Sequence, residues 1–249
     1  MTQHTTRSYD AELSNLSDRL ERMGELARHQ LDAAIDVLER RDPRAARHVV
    51  ENDDAIDRME HELSHEIVRL LALRAPLARD LREILAALRI AADIERIGDY
   101  AANVAKRSIP LSLTIAVAPA LSLRRLASLA NAGLIEVLAA YREQDADRAF
   151  RAWREDTTLD EAYTAVFHEL LDCMMQDPRA ITPCTHLLFM AKNIERIGDH
   201  VTNIAEAIWY RVQGAPLDVA RDSHDTTSDP VWPHLGDARH DDPSGNPAT

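Results

Sequence analysis

The chain has 249 residues and a formal net charge of −13, and 45% of its residues are hydrophobic but only 4% are aromatic. The acidic balance argues against a general nucleic-acid binder. The lack of any run of 18 apolar residues predicts that no helix spans a membrane. The N-terminus has no secretory signal, and only two cysteines occur, Cys173 and Cys184, which indicates a reducing compartment. We therefore expect a cytoplasmic protein.

Apolar residues recur at a spacing of three and four, which predicts amphipathic helices. Before a proline-containing linker at Ile109–Ala118, the pattern predicts three helices: Tyr9–Arg40, Arg44–Leu73 and Leu77–Ser108. After the linker it predicts three more: Pro119–Arg142, Ala146–Met175 and Thr182–Val212. Thr182 and Pro183 form a good N-cap and first-turn pair for the sixth helix.

Short turns between long helices make neighbouring helices antiparallel. The sequence therefore predicts an all-α protein of two tandem, pseudo-symmetric three-helix bundles, with domains at 8–108 and 119–213. The remaining segment, 214–249, holds five of the eleven prolines and seven aspartates. We expect it to be a disordered acidic tail.

One stretch of the third helix returns in the sixth. Leu88–Ala105 and Leu188–Ala205 are offset by 100 residues, and 10 of the 18 aligned positions are identical. Repeats of this kind indicate one supersecondary unit used twice. The shared positions include a polar set, Glu-x-x-x-Asp-x-x-x-Asn, that a packing element alone does not require.

On a helix of 100° per residue, Glu95, Asp99 and Asn103 form one row beside Gly98. In the second copy the same row is formed by Glu195, Asp199 and Asn203. Glycine inside a helix costs roughly 1 kcal/mol relative to alanine. Its presence in both copies predicts that another group approaches the backbone closely at Gly98 and Gly198.

The helix before each motif also carries two acids one turn apart: Asp53 and Asp57 in the first half, and Asp156 and Asp160 in the second. An antiparallel neighbour would place Asp53 and Asp57 beside the first row. Four carboxylates from two helices suit a hard, oxygen-preferring cation such as Fe, Mn, Mg or Ca. The alternative interpretation is a solvated acidic ridge, with the motif arginines paired to nearby carboxylates.

The sequence ERIGD-x-x-x-N-[IV]-A, present twice and each time preceded by a helix with paired acids, resembles the PhoU family of phosphate-uptake regulators. The resemblance covers about residues 8–214. It implies two symmetric three-helix bundles in a cytoplasmic protein, as a homodimer. It also implies negative regulation of phosphate uptake and of phosphate-starvation signalling, without enzymatic activity. The partners it implies are the ATPase subunit of the phosphate ABC transporter and a sensor histidine kinase, so the protein would be peripheral to the membrane only through them.

The resemblance further implies that the acidic rows hold metal ions, iron first, with Mn, Mg or Zn as alternatives. Matched residue by residue, it gives ten candidate metal ligands: Glu95, Asp99, Glu195, Asp199, Asp53, Asp57, Asp156, Asp160, Asn103 and Asn203. The second motif is followed by Glu206, as is usual in the family, whereas the first has Lys106 at that place. Because a lysine there could displace a cation, we expect the second row to be the better site.

Two other classes remain open. A carboxylate-bridged metalloenzyme of the helical-bundle type normally carries paired Glu-x-x-His motifs, and only one occurs, at Glu62–His65. That motif overlaps an HExxH at His61–His65, but neither a third zinc ligand nor a substrate cleft is indicated. A helical scaffold without metal is the second alternative.

Overall fold

The computed structural model describes residues 2–74 and 76–219. It contains six α-helices: α1 (Thr2–Arg40), α2 (Pro43–Arg74), α3 (Ala78–Leu111), α4 (Ser122–Glu143), α5 (Ala146–Gln176) and α6 (Ile181–Gln213). The described residues contain no strand, and the predicted all-α fold of two three-helix bundles is confirmed. Most of the predicted tail, 220–249, lies outside the described residues. Within 2–74 and 76–219, no helix combines the length and hydropathy needed to cross a membrane.

Two boundaries in the first half differ from the prediction. Helix α1 begins at Thr2, seven residues earlier than expected. Helix α3 continues to Leu111, so Pro110 lies in its last turn and not in a linker. Proline fits a helical φ and its main cost is the lost bond to the carbonyl four residues earlier. That carbonyl belongs to Lys106, which is exposed, as is Pro110, so the group can be solvated.

The starts of α4 and α6 also differ, because each follows a short 3₁₀ turn. Residues Ala118–Leu121 form the first turn, and α4 therefore begins at Ser122. Before α6, Pro178–Ala180 form the second turn, with the Asp177 side chain accepting from the backbone N–H of Arg179. Helix α6 then begins at Ile181 without a side-chain cap. The predicted cap at Thr182 is wrong because the 3₁₀ turn already starts the helix.

Helices α3 and α6 lie side by side at the centre of the molecule. Helix α3 also packs on α1 and α2, and α6 packs on α4 and α5. Helices α1 and α4 make a second contact between the bundles. Leucine, isoleucine and alanine fill the interior, and their burial supplies most of the stability of such a bundle. The two bundles therefore share one continuous core.

Contacts between α3 and α6 show that the two helices run antiparallel. The Arg107 guanidinium lies 4.2 Å from the ring centre of Phe189, whereas Arg89 lies 6.0 Å from that of Tyr210 at the other end. Midway, His200 Nδ1 is 2.8 Å from Asp93 Oδ1. Because the repeated motifs meet in opposite directions, the halves are related by an approximate two-fold axis near the motif glycines.

A buried polar network joins four helices where α6 ends. Arg211 of α6 donates to the backbone oxygen of Tyr141 at 2.9 Å and to Glu83 Oε1 at 2.7 Å. Its guanidinium also lies 4.4 Å from the centre of the Tyr141 ring. The Tyr141 hydroxyl is 3.3 Å from Ser17 Oγ on α1. Arg211 is 6% exposed, so this network links the two bundles inside the protein.

Candidate metal centre

The two motif glycines are points where helices approach each other closely. A Cβ atom added to Gly98 would lie 2.9 Å from Ile56 Cδ1 and 3.1 Å from Asp53 Oδ1, both on α2. A Cβ atom added to Gly198 would overlap the side chain of Leu159 on α5. It would also lie 2.9 Å from Asp156 Oδ1. The predicted close approach is confirmed, and in each half it brings the first acid of the pair to the motif.

In the structure the first row on α3 is joined by carboxylates of α2, so that it includes acids from two helices. Asp53 and Asp57 on α2 and Asp99 on α3 each offer an oxygen, and these three oxygens lie within 4.8 Å of one another. The structure thus gives the juxtaposition that the antiparallel register predicted. Glu95 lies one turn before Asp99 and is half-buried. These four side chains have the oxygen donors that a hard divalent or trivalent cation prefers.

The electrostatics of the first row disfavour its charged forms when no cation is present. Burial raises the pKa of Asp53, and the neighbouring Asp57 and Asp99 raise it further. Burial and Asp99 likewise raise the pKa of Asp57 and that of Glu95. A bound cation would remove this repulsion, so the donor set fits a metal ion.

Gln30 on α1 is a member of the site that the sequence did not reveal. Its Nε2 donates to Asp53 Oδ1 at 2.8 Å and to the backbone oxygen of Gly98 at 3.2 Å. Gln30 is 6% exposed. The first bond opposes the rise in the pKa of Asp53 and fixes the orientation of its carboxylate. A lone glutamine on an apolar helix gives no signal of such a role.

Arg96 provides a competing partner for the same carboxylates. Its Nε lies 3.2 Å from Glu95 Oε2, and its Nη1 donates to Asp99 Oδ2 at 2.7 Å. The Arg96 side chain is 56% exposed, so the pairing is screened by solvent and is weak. It agrees with the alternative interpretation of a solvated acidic ridge, and a cation would have to displace it.

The second row has the same residues in a different arrangement. Asp156, Asp160 and Glu195 are all buried, and Lys192 Nζ lies 2.9 Å from Glu195 Oε1. Of the described residues, the one set of three possible ligand atoms that lie together is in the first row. The sequence favoured the second row because of Lys106, but Lys106 is exposed. The first row thus has the clustered carboxylate oxygens, and the preference for the second row stays a prediction.

The outer members of both rows have other surroundings. Asn103 and Asn203 are exposed, and Asn203 Nδ2 donates to Asp93 Oδ1 at 3.3 Å across the α3–α6 contact. Glu206 accepts from Trp153 Nε1 at 3.1 Å. The two asparagines are thus placed less favourably as ligands than the carboxylates of the first row.

Comparison with known proteins adds an independent observation. The sequence model of the family described as "PhoU domain" matches residues 20–108 and 123–208, one stretch in each half. The chain belongs to the PhoU family. A "Phosphate-specific transport system accessory protein PhoU homolog" of Xylella fastidiosa is 54% identical over 225 residues, which cover 90% of this chain and 93% of that protein. A homologue of the same description from Caulobacter vibrioides is 44% identical over 92% of this chain and 100% of its own length.

Solved PhoU structures share the fold. The crystal structure of PhoU from Pseudomonas aeruginosa matches with a TM-score of 0.79 and 38% identity, covering 83% of this chain and 100% of that one. The phosphate transport system regulatory protein PhoU from Streptococcus pneumoniae matches with a TM-score of 0.78 and 27% identity, over 85% and 100% of the two chains.

The HExxH sequence of α2 has none of the surroundings of a zinc protease. His61 and His65 are exposed, with their ring centres 4.4 Å apart. Glu62, which would be the general base, is held 2.7 Å from Arg19. In the described part of the chain, no third ligand joins the histidines. The described residues therefore do not support a zinc-protease interpretation of this motif.

The raised pKa values of the first row predict how the stability of the metal-free protein depends on pH. An acid whose pKa is raised by folding contributes stability that is present below its unfolded pKa, about 4 for aspartate, and is lost as the pH rises through its folded value. The Asp57→Asn variant should therefore unfold at a higher temperature than wild type at pH 7.5. Solvent screening of the exposed Asp57 keeps the gain below about 1 kcal/mol.

Thermal unfolding of chelator-treated protein, followed by circular dichroism at pH 7.5 and 4.5, measures this effect. The gain should shrink at the lower pH, where the wild-type carboxyl is partly neutral. A wild-type protein that is more stable than Asp57→Asn at pH 7.5 would show that Arg96 outweighs the repulsion.

Proposed function

We propose that this chain is a regulatory accessory protein of phosphate transport, one that restrains phosphate uptake and phosphate-starvation signalling. The observation that carries the proposal is family membership, with a relative 54% identical and named as an accessory protein of the phosphate-specific transport system. We place it in the cytoplasm as a homodimer. It acts by binding other proteins and not by catalysis.

The partners we propose are the ATPase subunit of the phosphate ABC transporter and a sensor histidine kinase. Helices α2 and α5 lie on the outside of their bundles, since each packs on the helices of its own half. Helix α2, together with α3, would present the partly exposed first row to a partner, whereas Asp156, Asp160 and Glu195 of the second row are buried. An adaptor of this kind would hold transporter and kinase on one rigid helical frame.

We further propose that the acidic rows bind metal ions, with iron first and Mn, Mg or Zn as alternatives. Asp53, Asp57, Glu95 and Asp99 would hold the ion of the first row, and Gln30 would orient Asp53. The support is the cluster of three carboxylate oxygens within 4.8 Å. A bound cation would neutralise the row and tie α2 to α3, and its charge would change the surface that a partner meets.

Metal content of the purified protein tests the site. Elemental mass spectrometry of protein prepared without chelator should find stoichiometric iron or manganese in wild type. It should find less in Asp57→Asn/Asp99→Asn, because two of the three clustered ligands lose their charge. The matched control is Asp54→Asn, which removes the same kind of charge from an exposed neighbour on α2 outside the cluster. A parallel Glu195→Ala/Asp199→Ala variant shows which row holds the metal. Equal metal in all four proteins contradicts the site.

Partner binding tests the role in signalling. The purified transporter ATPase subunit is titrated against wild type, against chelator-treated protein and against the Asp57→Asn/Asp99→Asn variant. Metal-loaded wild type should bind at least about tenfold more tightly, which corresponds to about 1.4 kcal/mol. Identical binding by all three would separate the adaptor function from the metal.

A helical scaffold without metal remains the second candidate, and the pairing of Arg96 with Glu95 and Asp99 favours it. In that case the chelator-treated and untreated proteins melt at the same temperature. Phosphate uptake in cells carrying Asp57→Asn/Asp99→Asn would then equal that of wild type.

A further inference from the structure

A polar pocket lies at the opposite end of α3 from the first acidic row. Its volume is about 290 Å³, and it is lined by Arg79, Arg82, Glu83, Gln144, Arg211 and Val212. Arg82 and Asp99 are seventeen residues apart on α3, or about 25 Å. Three arginines therefore meet in one cavity of a protein whose net charge is −13.

The charges in this pocket are not balanced. Arg211 is paired with Glu83, at 2.7 Å, and this uses the one acid among the lining residues. Arg79 donates to Gln144 Oε1 at 2.8 Å, which is a neutral acceptor. Arg82 has no ion pair among the described residues. The lining thus leaves two guanidinium charges without a carboxylate.

The Arg82 side chain also has a nitrogen without a hydrogen bond. Its Nε is inaccessible to solvent and lacks an acceptor among the described residues. Buried N–H groups in native proteins almost always find a partner. Gly214, which ends α6 with φ +75°, lies beside this guanidinium, since a Cβ there would be 3.4 Å from Arg82 Cζ.

Gln144, on the opposite wall of the pocket, adds a further hydrogen-bond donor. It adopts a left-handed backbone conformation, φ 53°, at the C-cap of α4, where glycine or asparagine is usual. Because its Oε1 accepts from Arg79, its amide nitrogen remains a donor. The pocket therefore offers donors from Arg79, Arg82 and Gln144, and its one carboxylate is already engaged.

We propose that this pocket binds a phosphoryl anion, held by the guanidinium groups of Arg79 and Arg82 and the amide of Gln144. A guanidinium group can donate two parallel hydrogen bonds to two oxygens of one phosphate group. The volume accommodates inorganic phosphate or the phosphate group of a larger molecule such as a nucleotide. The site is separate from the acidic rows and does not depend on their metal.

Equilibrium binding to the full chain tests the proposal. Chelator-treated protein is titrated by calorimetry with inorganic phosphate, AMP and ATP at low ionic strength, so that metal in the acidic rows cannot contribute. Saturable binding of inorganic phosphate that AMP and ATP do not improve identifies the free ion as ligand. Binding of a nucleotide at least about tenfold tighter identifies a phosphate group on a larger ligand. Both results support the pocket.

Variants locate the binding. Arg82→Gln should weaken it by about tenfold or more, because hydrogen bonds to a charged group are the strong ones. Arg82→Lys should also weaken it, since a point charge replaces the fork. Arg47→Gln, at an exposed arginine on α2, is the control and should bind within about twofold of wild type. Arg79→Gln, at an exposed position, tests the site if Arg82→Gln fails to fold.

No saturable binding of any of the three probes at millimolar concentration overturns the proposal. Equal affinity of wild type, Arg82→Gln and Arg79→Gln overturns it as well. A loss of binding that Arg47→Gln shares equally would assign the effect to overall charge and would also reject the pocket.

Discussion

Replacing Arg211 with methionine is expected to lower the free energy of unfolding by about 3–5 kcal/mol, which is the usual effect of breaking a buried ion pair by removing one partner. The side chain is 6% exposed and donates to Glu83 and to the Tyr141 backbone. Its removal deprives Glu83, whose side chain is 16% exposed, of its ion-pair partner at 2.7 Å. It also removes a residue that ties α6 to both α3 and α4 at this end.

Urea unfolding followed by circular dichroism measures the loss in the free energy of unfolding. In thermal unfolding, the melting temperature should fall by roughly 10 °C for a chain of this size. Arg124→Met is the matched control. Arg124 forms ion pairs with Asp36 and Glu39 between α4 and α1, but its side chain is 44% exposed. Exposed pairs contribute only about 0–1 kcal/mol.

The double variant Arg211→Met/Glu83→Met distinguishes two causes of the loss. One is the lost attraction between Arg211 and Glu83, and the other is the cost of leaving the Glu83 carboxylate without its partner. Replacing both members of a buried pair by apolar groups is often neutral, so the double variant should recover much of the stability. A double variant as unstable as Arg211→Met alone would show that the contact with Tyr141, and not the charge of Glu83, determines the loss.

Replacing Gly198 with valine is expected to cost about 3 kcal/mol, at the upper end of what overpacking usually costs. The new Cβ would overlap Leu159 and lie 2.9 Å from Asp156 Oδ1. The two γ-carbons of valine add further volume where α5 and α6 meet. The gain in helix propensity over glycine, about 0.4 kcal/mol, is too small to offset this.

The same denaturation measurement serves for Gly198→Val, with Ala92→Val as control. Ala92 is exposed in the middle of α3, so valine there should cost only its lower helix propensity, about 0.6 kcal/mol. Gly133→Ala adds a milder comparison, because its Cβ would meet only Val201 Cγ1, at 3.2 Å. If Gly198→Val were as stable as wild type, the helices could separate without cost, and close approach would not explain the repeated glycine.

The fold could be predicted because its signals are local. The sequence itself shows the spacing of apolar residues, the breaks near Pro43 and Pro178 and the 100-residue repeat. The repeat also placed Gly98 and Gly198 at helix contacts. What failed were helix ends, where Pro110 and the 3₁₀ turns before α4 and α6 depend on local hydrogen bonds and solvation that periodicity does not encode.

The candidate site was predictable only in part, because a site combines residues that are distant in sequence. The sequence alone allowed us to place Asp53 and Asp57 beside Asp99. Both acid pairs are recognisable by their spacing, and the antiparallel register of neighbouring helices follows a simple geometric rule. Gln30 could not be placed there, because it comes from a third helix and has no motif. The second row differs because Lys192, three residues before Glu195, stands where the first copy has Ala92.

The position of α2 and α5 at the periphery has a consequence for how the protein opens. Elements with fewer tertiary contacts detach first in native-state fluctuations, whereas α3 and α6 are held on several sides. Each acidic row has two carboxylates on a peripheral helix, α2 or α5, and two on a central helix, α3 or α6. A cation in the first row would therefore link α2, the most loosely held helix of its bundle, to α3, the most firmly held one. Loss of the cation would increase the fraction of time for which α2 is detached and the apolar stripe of α3 is uncovered.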